Sequence, residues 1–319
     1  MSPETTNNLS ISVIIPTHNR PESLSKAVRS ILKQKTPPKE LIVVDDGSEP
    51  PVSPQIFSVF KNSLDVRLLR NEVSKGGNYA RNKGIIEATG EWVAFLDDDD
   101  VFMPEKIEEV TRALSNHSSI GLLYHTAEIN LINEKIRYKS GVSNVSSTQN
   151  PLSALLIRNF IGGTSMVVAK RRMLIELGGF DETMPALQDW EMWIRVTKAG
   201  KRLVYLNKAL TKYVHNTGQQ SITINQEKVN KAYEMLKYKY ANDYAELSEK
   251  ERGLFEQGRL KNTLFKSLLC RDRKAALIAQ YSLFKTSCKI RDLLPLLIIP
   301  WSFTMVFRIR YLQNKLTGL

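Results

Sequence analysis

Residues 11–46 read ISVIIPTHNRPESLSKAVRSILKQKTPPKELIVVDD, and the alternation within them decides the fold class. ISVII (11–15) is short, β-branched and closed by Pro16, which reads as a buried strand. Beyond it Leu24, Ala27, Val28, Ile31 and Leu32 are spaced as one face of a helix, and Pro21 suits the first turn. ELIVV (40–44) is then a second strand, stopped by the polar DDGS.

The same alternation continues outward. VRLL (66–69) is a third short strand. SKGGNYARNKGIIEATG gives a turn and then a helix with Ala80, Gly84, Ile85 and Ala88 on one side, ended by Gly90. EWVAFL (91–96) is a fourth strand and runs straight into DDDD (97–100). This pattern predicts an α/β fold with a mostly parallel central sheet and flanking helices. In such sheets ligands bind beyond the carboxyl ends of the strands, where PTHNR, DDGS and DDDD all fall. Three loops distant in sequence are therefore expected at one crevice.

The second half is less regular. Residues 120–138 predict a hairpin, 139–150 a polar Ser/Asn-rich loop, PLSALLIRN a helix, TSMVVA and KRLVYL strands, and QDWEMWIRVTKAG a helix. From about 226 the pattern is helical, and no internal repeat is present.

Four adjacent carboxylates repel one another. At ~6 Å and an effective dielectric of 20, each like pair costs roughly 3 kcal/mol. The run has three readings: a solvated acidic loop, a site for a hard divalent cation, or a source of a general base. Its place after a buried strand, at the crevice edge, favours the cation.

The 319 residues suffice for one large α/β unit with an appendage, or for two domains. The start MSPETTNNLS has neither a basic nor an apolar region and predicts no signal peptide. Cys270 and Cys288 lack metal or redox spacing and read as unpaired thiols in a reducing compartment. The net charge of +12 is concentrated at the end, where residues 261–319 hold eleven Lys and Arg against two Asp and Glu. Fifteen uncharged residues, LLPLLIIPWSFTMVF, lie between Asp292 and Arg308, short of the about 20 that span a bilayer and broken by Pro295 and Pro300. With Lys289, Arg291, Arg308, Arg310 and Lys315 around it, the segment 290–312 reads either as an element lying on an anionic membrane surface or as a C-terminal core helix with a basic face. Few aromatics interleave these charges, which argues against nucleic acid.

Taken together, SVIIPTHNR (12–20), ELIVVDDGS (40–48), GGNYARNKGIIEATGEWVAFLDDDD (76–100), LQDWEMWIR (187–195) and KYVHNTGQQS (212–221) resemble the family 2 glycosyltransferases of the GT-A fold. The resemblance covers about residues 10–222 and implies a glycosyltransferase domain over 1–222, with a helical basic region over 223–319. It implies an inverting enzyme of hexosyl type, dependent on Mn²⁺ or Mg²⁺. The donor it implies is a UDP-sugar and the acceptor a saccharide hydroxyl; the basic tail adds the expectation of a lipid-linked or surface-polysaccharide acceptor, such as a capsule or O-antigen unit, at the inner face of the cell membrane.

The resemblance also implies residue roles. Pro16 and Thr17 line the nucleotide pocket, Asn19 and Arg20 lie near base and phosphate, and Asp46 accepts from the uracil N–H. Asn78 and Arg81 open a helix near the diphosphate. Asp98, with Asp97 in reserve, meets the ribose, while Asp99 and His215 serve the metal. Asp189 is the catalytic base, with Glu191 as the alternative, and Gly163, Trp190 and Glu191 face the sugars. Two departures stand out: Gln188 replaces the family's usual Glu beside the base, and Lys212 is the nearest basic residue before His215. Asp100 reads as a spare, capping the next helix, and Asp189 reads equally as a plain helix N-cap. The competing functions are a nucleotidyltransferase, which the glycine-free PTHNRPESL disfavours, and a non-catalytic binding module.

Overall fold

The computed structural model describes residues 9–60, 63–115, 119–133, 135–140, 150–215, 226–287 and 305. Strand β1 (Ile11–Thr17) is buried at every position, and its side chains alternate between two cores. Ile11, Val13 and Ile15 pack with Leu24, Ala27, Val28 and Ile31 of α1 (Pro21–Leu32). Ile14 packs on the other face with Ala80 and Ile85 of α2 (Gly77–Glu87). Leu32, predicted on the apolar face, ends the helix 43% exposed.

Strands β2 (Glu40–Asp46), β3 (Asp65–Asn71) and β4 (Trp92–Phe95) join β1 in parallel register, Thr17 beside Asp45 and Ile14 beside Phe95. Their carboxyl ends therefore finish along one edge. Pro16 has no N–H to give, and it falls past the last pair of the β1–β4 ladder. Helix α2 can lie close on β1 because residue 84 is glycine: a Cβ there would meet Ile14 Cγ2 at 2.5 Å. The helix stops at Glu87, three residues earlier than predicted, and Gly90 instead donates its N–H to Ser12 Oγ.

The chain continues through β5 (Asp100–Phe102), α3 (Lys106–Ser115), β6 (Ile120–Leu131), β7 (Ile136–Lys139), α4 (Pro151–Ile157), β8 (Val167–Lys170), α5 (Arg171–Glu176), α6 (Gln188–Lys198) and β9 (Arg202–His215). Helices α7 (Gln226–Lys239), α8 (Ala241–Ala245), α9 (Glu249–Leu269) and α10 (Arg273–Ser287) complete it. One sheet runs β3-β2-β1-β4-β8-β6-β9-β5, with β7 paired to β6. The half from β3 to β4 is parallel, β8 is antiparallel to both neighbours, and β6 runs parallel to β9. The hairpin expected over 120–138 is β6–β7, and KRLVYL is only the start of β9.

Helices α7 to α9 cover the core around α6: Val229, Tyr233, Leu236 and Phe255 share one cluster with Trp190 and Trp193. Helices α9 and α10 cover the hairpin through Leu264, Leu268, Ala276 and Leu283. Among the described residues no helix is long and apolar enough to cross a membrane. The segment 290–312, apart from Met305, lies outside the described residues, as do residues 141–149 of the predicted loop, whose first residue, Lys139, belongs to β7.

Two helical glycines, Gly84 of α2 and Gly253 of α9, should respond in opposite ways to alanine. Gly84→Ala forces the fully buried Ile14 to move and should cost about 1–3 kcal/mol in urea unfolding. Gly253→Ala in α9 meets nothing within 4 Å and should gain about 1 kcal/mol from helix propensity.

Candidate active site

The strand ends open into a cavity of about 810 Å³ that also takes in the starts of α2 and α6, the end of α4, and faces of α7 and α9. The four aspartates lie on its floor, and cations are distributed among them. Asp97 accepts from Arg81 Nη2 at 2.6 Å and from Thr164 Oγ1 at 3.0 Å. Asp98 accepts from Thr17 Oγ1 at 2.7 Å and Arg20 Nη1 at 3.1 Å. The same Arg20 nitrogen reaches Asp99 at 3.0 Å. Asp100 is buried beside Lys106, which is fully enclosed under the loop. Lys106 Nζ donates to Ser165 O at 2.7 Å and Thr211 Oγ1 at 3.2 Å, and sits 3.6 Å from the centre of the Phe102 ring. Ser165 Oγ in turn accepts from the Asp97 N–H.

Exposure separates the four. The Asp98 side chain is 7% exposed, that of Asp97 31% and that of Asp99 51%, so Asp99 is the most open of these three to the cavity. Burial pushes Asp98 up to about 6, against the pull of Thr17 and Arg20. Burial also raises Asp100 and lowers Lys106, while their mutual attraction opposes both shifts. Contrary to the expectation, Asp100 does not cap α3. It belongs to β5, pairs with Tyr213 of β9, and precedes the helix by six positions.

Asp189 is the second residue of α6, not its N-cap. That place belongs to Leu187 in a left-handed conformation, φ 57°. Asn159 Nδ2 donates to Asp189 Oδ2 at 3.2 Å and to Gly162 O at 3.1 Å, while Asn159 Oδ1 accepts from Gly162 N. Burial raises the pKa of Asp189, helped by Asp97 and opposed by the Trp190 N–H, Arg81 and Lys266. The loop before α6 is pinned to α2: Asn78 Nδ2 donates to Asp181 O at 2.8 Å, and Asn82 exchanges two bonds with Phe180. Thus α2 carries Arg81 to the aspartates and also sets where Asp189 begins its helix.

Pro16, Thr17, Arg20, Asp46, Asn78, Arg81, Asp97, Asp98, Asp99, Gly163, Asp189 and Trp190 all line the cavity. Asn19 and Glu191 are not among the residues lining it. Asn19 takes φ 54° and ties the neighbouring loop, donating its N–H to Ser48 Oγ and accepting from Glu49 N. Glu191 is fully buried on the far side of α6, paired with Arg195, Lys239 and the Tyr240 hydroxyl, which leaves no oxygen for a sugar or for base catalysis. Asp46 lines the cavity but holds the loop before α2, accepting from Asn71 Nδ2, Ser74 Oγ, Lys75 N and Gly76 N, and these bonds lower its pKa against burial. A carboxylate has about four acceptor sites, so a uracil N–H would compete for an occupied oxygen. Trp190 is chiefly core: its Nε1 donates to Leu155 O and its ring packs edge-on against Tyr233. The His215 backbone ends β9 beside Leu131, and its side chain lies outside what is described. No group of three or more His, Cys, Asp or Glu that could hold a metal occurs among the described residues.

Lys106, Asn159, Thr164, Ser165 and Lys266 were not expected at the site. For Lys106 a signal existed: it shares the spacing of Val110 and Leu114 on the buried face of α3, where a lysine needs a partner. For Lys266, on a helix that begins more than thirty residues after β9, no local signal exists.

Comparison with known proteins supports one grouping. The chain is 28% identical over 231 residues to an uncharacterized glycosyltransferase of Haemophilus influenzae, spanning 72% of this chain and 76% of that one. It is 30% identical over 189 residues to the Escherichia coli UDP-Glc:alpha-D-GlcNAc-diphosphoundecaprenol beta-1,3-glucosyltransferase WfgD, spanning 59% and 70%. Residues 1–349 of S. aureus TarS, solved in complex with UDP-GlcNAc, superpose with a TM-score of 0.54 at 17% identity over 87% of this chain and 89% of that one, a likeness of fold. Residues 12–178, from β1 to the turn after α5, match the model of "Glycosyl transferase family 2", and so the chain belongs to that family and is a glycosyltransferase of the GT-A fold.

Proposed function

We propose that the chain transfers a hexosyl group from a UDP-sugar to a hydroxyl of a lipid-linked saccharide, with inversion, in building a surface polysaccharide at a membrane's inner face. The observation that carries this is Asp189, a carboxylate of raised proton affinity lining the same cavity as Asp97, Asp98 and Asp99. Inverting transfer needs one base at the acceptor and a charged floor at the donor. The names of the E. coli relative and of the TarS complex supply the substrate classes.

In this reading Asp189 takes the proton from the acceptor hydroxyl as that oxygen attacks the anomeric carbon. Asn159 donates to Oδ2 and so helps hold the carboxylate in place at the cavity. Pro16 and Thr17 flank the nucleoside, Asp98 meets the ribose, and Asp46 acts through the loop it holds. Arg81 and Asn78 face the diphosphate from the start of α2. Asp99 suits a divalent ion, being a hard oxygen donor half open to the cavity and already attracting a cation, Arg20. Mg²⁺ or Mn²⁺ sites commonly need only one or two carboxylates beside substrate phosphates, with His215 the further protein ligand proposed here. A bound ion would supply neutralisation of the charge growing on UDP.

Release of UDP from a panel of UDP-sugars with Mn²⁺ tests the reading. Asp189→Asn should lose about 10²- to 10⁴-fold in kcat while retaining UDP affinity. Unchanged turnover would remove Asp189 from the role of base. The acid limb of the pH–rate profile should lie above the ordinary Asp range, since Asp189 must lose its proton to act.

Chelation by EDTA, or Asp99→Ala, should abolish the thermal shift produced by UDP. Retention of that shift in both would count against the metal.

Asp98 is held for its ligand at a cost. Its folded pKa of about 6 exceeds the unfolded value, so its stabilising share is full below the ordinary Asp range and lost as pH rises through 6. Asp98→Asn should therefore stabilise the ligand-free protein by about 3 kcal/mol at pH 8 and by less than about 1 kcal/mol near pH 4.

A further inference from the structure

The cavity has two unlike walls. The wall built from the ends of β1, β2 and β4 carries the aspartates. The wall built from the end of α4 and from α7 and α9 presents Arg158, Lys228 and Lys266, and no carboxylate among the described residues lining it. Asp189 stands between them, bonded to Asn159 and near enough to Lys266 for each to shift the other's pKa.

Arg158 and Lys228 are exposed at the cavity and Lys266 is half-buried, but the elements that carry them are held together by packing. Helix α9 passes so close to the end of α4 that a Cβ at residue 258 would lie 3.5 Å from Ile157 O. One turn on, Asn262 Nδ2 donates to the Tyr233 hydroxyl of α7 at 3.2 Å. Phe255 packs against Trp190, Tyr233 and Tyr244 together. Three segments distant in sequence are thus locked into one frame, with Lys266 partly buried within it.

Neutral sugar hydroxyls give no reason to collect three cations, whereas phosphate oxygens do. The diphosphate of a nucleotide donor belongs to the opposite wall. Resting on the transferase reading of this cavity, we propose that Arg158, Lys228 and Lys266 form a phosphate subsite for the acceptor. The acceptor is then a saccharide esterified to a phosphate or diphosphate, seated with its free hydroxyl at Asp189.

The test uses calorimetry on the full chain saturated with UDP and Mg²⁺, titrated with dodecyl diphosphate, inorganic pyrophosphate, or phosphatidylglycerol vesicles. Dodecyl diphosphate should bind, and Lys228→Gln and Lys266→Gln should each weaken it about tenfold, the loss of one charge-assisted contact. Lys266→Arg, which keeps the charge, should recover most of the affinity, and UDP binding should stay unchanged in all three variants. Pyrophosphate binding with the same sensitivity supports recognition of the phosphates themselves. The proposal is overturned if dodecyl diphosphate does not bind, if the variants bind it normally, or if only vesicles bind and the cations serve a lipid surface. Failure of the wild-type chain to bind UDP would instead refute the donor reading, and titration without UDP would then still decide the subsite.

Discussion

Four carboxylates in consecutive positions must be kept from repelling the loop apart, and the site is organised around that requirement. Arg81 comes from α2, Arg20 from the loop after β1, and Lys106 from α3 beneath. Each lies on a different element, so the aspartate loop is also where these elements are tied together. Removing any one of these cations would leave a buried or half-buried carboxylate uncompensated, which costs far more than the ion pair itself contributes.

The compensation reaches the far side of the cavity through α2. That helix gives Arg81 to the aspartates and, through Asn78 and Asn82, holds the loop that sets the start of α6. The close seat of α2 on β1 at Gly84 is therefore a condition on the relative placement of Asp97 and Asp189. Aromatic packing of Trp190 against Tyr233 and Phe255 closes the frame from the C-terminal helices.

The parallel half of the sheet was legible because β-branched runs and a 3.6-residue period are local signals, seen in ISVII, ELIVV and the face of α1. The meeting of Thr17, Asp46 and Asp97 followed from the strand order alone. The pairing of β6 with β9 was not legible, because two strands about eighty residues apart carry no local mark of each other. Roles failed where a residue type fits two jobs. Glu191 lies two positions from Asp189, yet the helix turns it into a buried cluster with Arg195 and Lys239. Asn19 looked like a ligand contact and is a turn residue, which its left-handed backbone suits.

A single guanidinium nitrogen shared by Asp98 and Asp99 has a consequence for ion selection. At rest this pair is already neutralised in part by a counterion that the chain carries with it. In the proposed reading, a dication brought to Asp99 would have to compete with that arginine for the carboxylate.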